Sequence, residues 1–572
     1  MANKVTKNKK FASPYGYRNI DGVEYYGREE YDPAAKRSSF VRYGRYIAIK
    51  NIAECENGNS VTVTIEFDNL SGKRRCIDID RSLLGKPGEL QMLLLSKGAD
   101  AYAHGMPVLL KCLRESERNI AFVANIHEKT GWVDENADEF AFRASTLISK
   151  DGKSTSTYGG IYDISSKGSF ETWKEMVLRV VLGWIPLEIA VLIGLSPIIS
   201  SLCGARNLIF HFCGDSSKGK TSAAILTVSV AGCPNPMETA KKRNAKDQSL
   251  RPLLSSWNGT TNALVKKLQG LDGTITVFDE LSKLQDVKGL ANIIYSISDG
   301  GDKDRLASLD SLQAVDSFRT NILSVGEESL LDKAENGNTG LRMRVCEIQT
   351  DFTKSAKQAE EIVTCCYENY GFAAPMFAKY VVENMTKDAV CMLYTKNLDA
   401  YEAALIAAGD TSNSTRRLAE FGAILLTTAE IAEKALGIPF SVTEIQRFLI
   451  DQQASDTRNQ DIGIRAHTAL WEYINANIAH FVVGNATDWT KSVECYGRIE
   501  NCKSGTGKEV AFIKRNFCDI MKELGFNNAS LIIKKFKSLG LLSYEAGKND
   551  RKRMITKQAD QTRVYVVIFP DI

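Results

Sequence analysis

The 572-residue sequence predicts an α/β chain with added helical and winged modules, and three observations carry that expectation. First, an apolar strand candidate, NLIFHFC (207–213), runs into the glycine loop GDSSKGKT and then the helix candidate AAILTVSVAG. Second, a further strand candidate, GTITVFDEL (273–281), ends in an acidic pair. Third, residues 351–450 carry apolar positions at helical spacing, and the chain closes on helix, turn, helix and a basic hairpin. At this length two to four domains are expected.

Composition is that of an ordinary folded protein, with 44% hydrophobic and 25% charged residues. The net charge of +3 does not by itself indicate a nucleic-acid binder, so any such role has to rest on local patches. The 13 cysteines are scattered without zinc spacing, and they read as reduced thiols of a cytoplasmic protein. VVLGWIPLEIAVLIGLSPIISSL (180–202) is the most membrane-like run. It contains Glu188, Pro186 and Pro197, and a buried helix pair is the expectation, with no membrane partner.

Residues 1–35, opening MANKVTKNKK, read as a flexible basic and polar arm. Residues 36–160 read as an α+β domain: a hairpin in YIAIKNIAECENGNSVTVTIEF, a helix in PGELQMLLLSKGADAY and a strand in NIAFVANIHEKTGWV. Trp132 there is either a core residue or a base-stacking one. Residues 161–350 form the α/β core, 351–450 a helical lid region and 455–572 the C-terminal domain.

The core holds the strongest chemistry. GDSSKGKT matches GxxxxGK[ST] through Gly214, Asp215, Ser216, Ser217, Lys218, Gly219, Lys220 and Thr221. Loop amides and the following helix N-terminus suit phosphates, Lys220 would reach the β- and γ-phosphates of ATP, and Thr221 would hold Mg²⁺. Asp279 would organise that Mg²⁺, and Glu280 would orient or deprotonate an attacking water. The pair favours hydrolysis over transfer to a metabolite. FRTNILSVGE (318–327) is a third strand candidate whose Ser324 would sense the γ-phosphate. Beyond it, Arg342 and Arg344 are either a surface pair or contain the arginine that completes a neighbouring subunit's site. Between the acidic pair and Ser324, ISDGGDKDRLASLDSLQAVDSFRT (297–320) suggests a hairpin through Leu309, Asp310 and Ser311; Lys303 and Arg305 would touch DNA phosphate, or Arg305 would serve the nucleotide.

At the C-terminus, VAFIKRNFCDIMKELG and NNASLIIKKFKSLGLL are helix candidates, and SYEAGKNDRKRMITKQADQTRVYVVIF gives strand, basic turn and strand. This is a winged-helix pattern, with Lys534 and Lys535 on the second helix and Lys548, Arg551, Lys552 and Arg553 in the wing, placed for DNA phosphates. A protein-interaction winged helix with a solvated lysine face fits the same pattern.

The set GDSSKGKT, PLLSSWNGTTNAL, ITVFDEL, SDGGDKDR, ILSVGEESL and TGLRMR resembles the domain-of-unknown-function 927 family of mobile-element proteins. That family is similar to AAA+ replicative helicases, including the MCM-like helicases of staphylococcal cassette elements. The resemblance implies an AAA+ P-loop ATPase core working as a hexameric ring on single-stranded or forked DNA, with ATP and Mg²⁺, beside other mobile-element replication proteins. It implies the Walker A role for Lys220 and Thr221, the Walker B role for Asp279 and Glu280, and the sensor position for Ser324. It favours Arg344, four residues after Gly340, as the finger. It also implies a second sensor in the lid at Arg416 or Arg417. A regulatory or defence ATPase that remodels protein or senses nucleic acid without unwinding is the alternative.

Overall fold

In the computed structural model, the described residues are 13–56, 58, 60–121, 123–133, 140–153, 155–246, 250–301, 306–308, 311–312, 317–334, 339–410, 414–460, 462–484, 493–502, 507–526, 528–556 and 560–570. At the centre is a five-stranded, all-parallel sheet. Its strands are β1 (Ile209–Cys213), β2 (Leu254–Ser256), β3 (Thr276–Asp279), β4 (Ile322–Val325) and β5 (Val345–Gln349). They lie in the order β2-β3-β4-β1-β5. β1 and β4 are buried along their whole length, as a parallel sheet covered on both faces requires. Because all strands run the same way, residues at their C-terminal ends share one edge of the sheet.

The apolar run of the sequence is the helix Ile185–Leu202, and 94% of it is buried inside the fold. Glu188 explains how a carboxylate can sit in it. Its oxygens accept the backbone N–H of Gly183 at 2.8 Å and of Ser441 at 2.8 Å, tying two helix starts together. Ala356–Glu368, Ala373–Asn384, Lys387–Ala407, Thr415–Leu436 and Val442–Gln460 are the long helices that follow the sheet. They close over Ile185–Leu202, and a single apolar core runs from Trp132 to Leu449. The helical region is therefore fused to the sheet through that core. Trp132 belongs to it, 4% exposed, with its indole N–H donating to the Ile198 carbonyl at 2.9 Å, which makes it a core residue.

The N-terminal region differs from the sequence expectation. Tyr15–Ile20, Val23–Asp32 and Arg37–Arg45 form a three-stranded antiparallel sheet, so residues from 15 onward are strand where a flexible arm was expected. Strand alternation decides it: Tyr15, Tyr17 and Tyr26 fall on one face and pack into a second core with Leu109 and Cys112 of the helix Met106–Arg118. Polar composition masked that face. The hairpin Ile47–Cys55/Val61–Asp68 and the helix Pro87–Ser96 fall where the sequence suggests them.

The C-terminal region is a winged helix: Lys514–Glu523, Ala529–Ser538 and the strands Lys508–Ile513, Arg551–Arg553 and Thr562–Phe569. Asn528 caps the second helix by accepting the Leu531 N–H at 3.0 Å.

Candidate functional site

The glycine loop leaves the C-terminal end of β1 and enters the helix Lys220–Ser229. Three of its residues have left-handed backbone, Gly214 (φ 131°), Ser217 (φ 64°) and Gly219 (φ 79°), which curls the chain around the helix N-terminus. Gly219 is required twice over, since a Cβ there would also lie 2.3 Å from the Thr353 hydroxyl. The segment after β5 holds the loop from that side: the Phe352 N–H donates to the Lys218 carbonyl at 2.8 Å, and Lys218 pairs with Asp351 at 2.7 Å. Lys218 is thus spent on the loop's own support.

Lys220 is 8% exposed and points into the curl, donating to the carbonyls of Gly214 at 2.7 Å and Asp215 at 2.5 Å. An ammonium has three donors, so one remains. The first turn of a helix leaves its backbone N–H groups without intrahelical partners. The remaining ammonium N–H and the first-turn amides of the helix together make a donor set suited to a phosphate.

Across the sheet edge, the Thr221 hydroxyl donates to the Asp279 carboxylate at 3.5 Å. Burial raises the Asp279 pKa and the neighbouring Glu280 charge adds to it, against a hydrogen bond from the Glu280 N–H at 2.8 Å. A half-buried carboxylate beside a hydroxyl, with no ion pair among the described residues, is chemically suited to a divalent metal. Glu280 is exposed and has φ 58°, a left-handed conformation that costs a non-glycine residue about 1–2 kcal/mol. The turn aims its side chain off the strand end, where it pairs with Lys283. Strain of this kind collects at functional positions.

Ser324 is held inside the sheet by hydrogen bonds of its own. It is fully buried, aligned with His211 on β1 and Phe278 on β3, and its hydroxyl is already engaged. His211 Nε2 lies 2.8 Å from the Glu328 carbonyl, which only an N–H can satisfy, so Nδ1 accepts from the Ser324 hydroxyl at 2.9 Å. The Trp257 indole N–H in turn donates to Ser324 at 3.0 Å. Burial lowers the His211 pKa, in keeping with the neutral ring this chain of bonds needs. Ser324 is thus a buried link between β1, the residue after β2 and the turn after β4. Sequence reasoning assigned neither His211 nor Trp257 to this network. The one available signal was a polar residue, His211, inside an otherwise apolar strand.

The arginines fall at the opposite edge. Arg344 precedes β5, and its carbonyl accepts the N–H of Ile209 at the start of β1. It is therefore a strand length from the loop that follows Cys213, about 15 Å at 3.3 Å per residue. Its guanidinium donates to the Gly340 carbonyl at 2.9 Å, lies 4.5 Å from the Tyr295 ring and stands 3.7 Å from Asp299, while its buried Nε has no partner among the described residues. Arg342 lies on the short helix Thr339–Arg342 beside it. Arg416 pairs with Asp399 at 2.9 Å and Glu402 at 2.6 Å, and Arg417 reaches the Met343 sulfur at 3.5 Å. Neither lid arginine stands at the loop of its own chain. The helix Thr415–Leu436 begins beside Met343, at the edge of the sheet where Arg344 lies.

Lys303 and Arg305 lie outside the described residues. The hairpin expected after them exists as the pairing of Leu306–Ser308 with Ser311–Leu312. On the winged helix, Lys534 is exposed and Lys535 half-buried. In the wing, Arg553 pairs with Glu509 at 2.9 Å, Arg551 donates to the Ser543 hydroxyl at 2.5 Å, and Lys548 stands 3.6 Å from Glu545. Lys552 is exposed and, among the described residues, has no ion pair.

A parallel α/β sheet with a phosphate-type glycine loop at its carboxyl edge, followed by a winged helix, defines a nucleotide-site protein with a helix-turn-helix module. The family described as domain of unknown function (DUF927) matches residues 17–316, and the Cch helix turn helix domain matches residues 461–571. The chain belongs to the DUF927 family. Among solved structures, one titled "SCCmec type IV Cch - active helicase" is 24% identical, covers 98% of each chain and superposes with a TM-score of 0.71. The apo C-terminal region of NrS-1 is 12% identical over 70% of this chain and 91% of its own, with a TM-score of 0.23, too low to bear on the fold. No curated protein matches the chain.

Proposed function

We propose that this chain is an AAA+ ATPase that drives a DNA helicase or translocase in replication of a mobile element. The observation that carries the reading is the pairing of Lys220, curled inside the glycine loop, with Thr221 facing Asp279 at 3.5 Å across the same sheet edge. The strand order β2-β3-β4-β1-β5, with the loop strand between β4 and β5, fits an AAA+ core and supports it. The likeness in fold to a protein titled an active helicase agrees with it.

In this reading the loop amides and Lys220 bind the phosphates of ATP, with Lys220 exchanging its two carbonyl contacts for phosphate oxygens. Thr221 and Asp279 would hold Mg²⁺, which would supply positive charge to the phosphates. Glu280 orients the attacking water and takes its proton. Ser324, through Trp257 and His211, fixes the turn after β4 rather than touching phosphate. Arg344 serves a neighbouring subunit, because its place at the opposite edge of the sheet prevents it from serving its own. Sites shared head to tail between copies can close into a ring, and in this reading the ring is a hexamer. The helical region 351–450 acts as the lid. Within 455–572, Lys534 and Lys552 make the readiest phosphate contacts.

The test is DNA-stimulated ATP hydrolysis and strand displacement on a forked duplex, wild type against Lys220→Ala. The reading requires both activities in the wild type and neither in the variant. Hydrolysis that DNA does not stimulate, without strand separation, would favour an ATPase that remodels protein.

A further inference from the structure

The three-stranded sheet at the N-terminus has one face packed on its domain core and one face left open. The open face is set by register. Arg18 lies opposite Tyr25, Gly16 opposite Gly27, Gly27 opposite Arg42, and Glu29 opposite Phe40. Residues directly opposite in an antiparallel pair share a face, so Arg18, Tyr25, Arg42 and Phe40 lie on one side with Tyr31, two positions beyond Glu29. The other side carries Tyr26, which is fully buried.

The cations and rings of this face are stacked on one another. The Arg42 guanidinium lies 5.2 Å from the Tyr25 ring centre, and Arg18 lies 5.2 Å from that of Phe40. Phe40 leans across the middle strand, because a Cβ on Gly27 would come within 2.6 Å of its ring. Gly16, the next residue across, has nothing within 4 Å of where its Cβ would be. The result is a shallow step of open backbone at Gly16 beside the Phe40 ring that covers Gly27, with the two cation–ring stacks around it. Arg18 and Arg42 are exposed, and Tyr31 is 63% exposed. Among the described residues Glu29 is the one carboxylate of this sheet on the open face, and Arg18 pairs with it at 2.5 Å, leaving Arg42 uncompensated by it.

We propose that this face binds single-stranded nucleic acid, with bases stacking on the Arg42–Tyr25 and Arg18–Phe40 pairs and phosphates held by the guanidinium groups. Planar guanidinium on an aromatic ring offers a second flat surface to a base. Adjacent strands are about 4.8 Å apart and alternate residues about 7 Å apart, spacings that suit successive bases of an extended strand. A duplex hides its base faces inside its own stack, so the surface selects unpaired strands and is indifferent to sequence. This site stands apart from the glycine loop and does not depend on ATP hydrolysis.

The experiment uses the full chain without nucleotide. Oligothymidylate and oligouridylate carrying a photoreactive base are crosslinked, and the attached peptides are mapped by mass spectrometry. Adducts within residues 13–45 are expected, and adducts confined to other segments would overturn the proposal. In parallel, fluorescence anisotropy compares wild type with Arg18→Glu/Arg42→Glu, which changes exposed residues, and with Tyr25→Ala. A loss of affinity of about tenfold or more is expected for each, with Tyr25→Trp retaining binding. Circular dichroism and DNA-independent ATPase confirm folding. Unchanged affinity in the charge-reversal variant, or equal affinity for blunt duplex, would also overturn it. The two oligonucleotides show whether the sugar is read.

Discussion

Lys220 holds the loop closed from inside, which makes it informative at the level of a single residue. Lys220→Ala is expected to lower ATP hydrolysis by several orders of magnitude, because the variant loses both a phosphate donor and the clamp on the carbonyls of Gly214 and Asp215. Glu280→Gln should behave differently: ATP binding persists while turnover falls at least about a hundredfold, as for loss of a general base. Equilibrium binding of a fluorescent ATP analogue beside steady-state turnover separates the two variants. Ser324→Ala removes the bridge between Trp257 and His211 and leaves an indole N–H without its acceptor. A stability loss of about 1–3 kcal/mol is expected in urea unfolding.

Asp272 gives a pH prediction of its own. Burial pushes its pKa up to about 7, and one of its carboxylate oxygens has no hydrogen-bond partner among the described residues. The folded state therefore resists the charged form. Below an unfolded value of about 3.9 both states hold the proton. As pH rises from there to about 7, only the unfolded chain releases it, so stability falls across that window and then levels. Asp272→Asn should raise the melting temperature at pH 8 and leave it little changed near pH 4.

At the scale of elements, the winged helix separates lysines that face solvent from arginines that build the wing. Arg551 and Arg553 are bound to Ser543 and Glu509, so they hold strands together before they can hold DNA. Lys552 and Lys534 remain exposed. Lys534→Ala/Lys552→Ala is expected to weaken DNA binding at every sequence alike and to reduce the salt slope by about 2, one per lost phosphate contact. Arg553→Ala should instead lower the melting temperature of the domain. Salt-dependent anisotropy and thermal unfolding distinguish these effects.

For the whole molecule, the decisive feature is that the glycine loop and Arg344 lie on opposite edges of one sheet. A site that needs both must be built from two copies. Lys220→Ala and Arg344→Ala are each expected to be inactive alone. Mixed, they should recover part of the wild-type ATPase, because some interfaces pair an intact loop with an intact arginine. A mixture as inactive as its components would show that Arg344 does not act between subunits.

The sequence by itself determined the local parts. GDSSKGKT announced the loop because glycines and a lysine at fixed offsets are a local requirement of its backbone. FDEL announced a strand ending in acids, and the alternating C-terminal pattern announced a winged helix, since periodicity is read over a few residues. Tertiary structure decided the rest. Ser324 faces His211 and Trp257 because three strands distant in sequence are in register, which no spacing reveals. Arg344 and Arg417 lie far from their own loop because parallel strands put chain segments before and after them on opposite edges. The open face of the N-terminal sheet emerged only when Tyr26 was drawn into a core and its neighbours were left outside. Local chemistry is written in neighbouring residues, whereas direction, register and burial are set by partners that the chain meets only when folded.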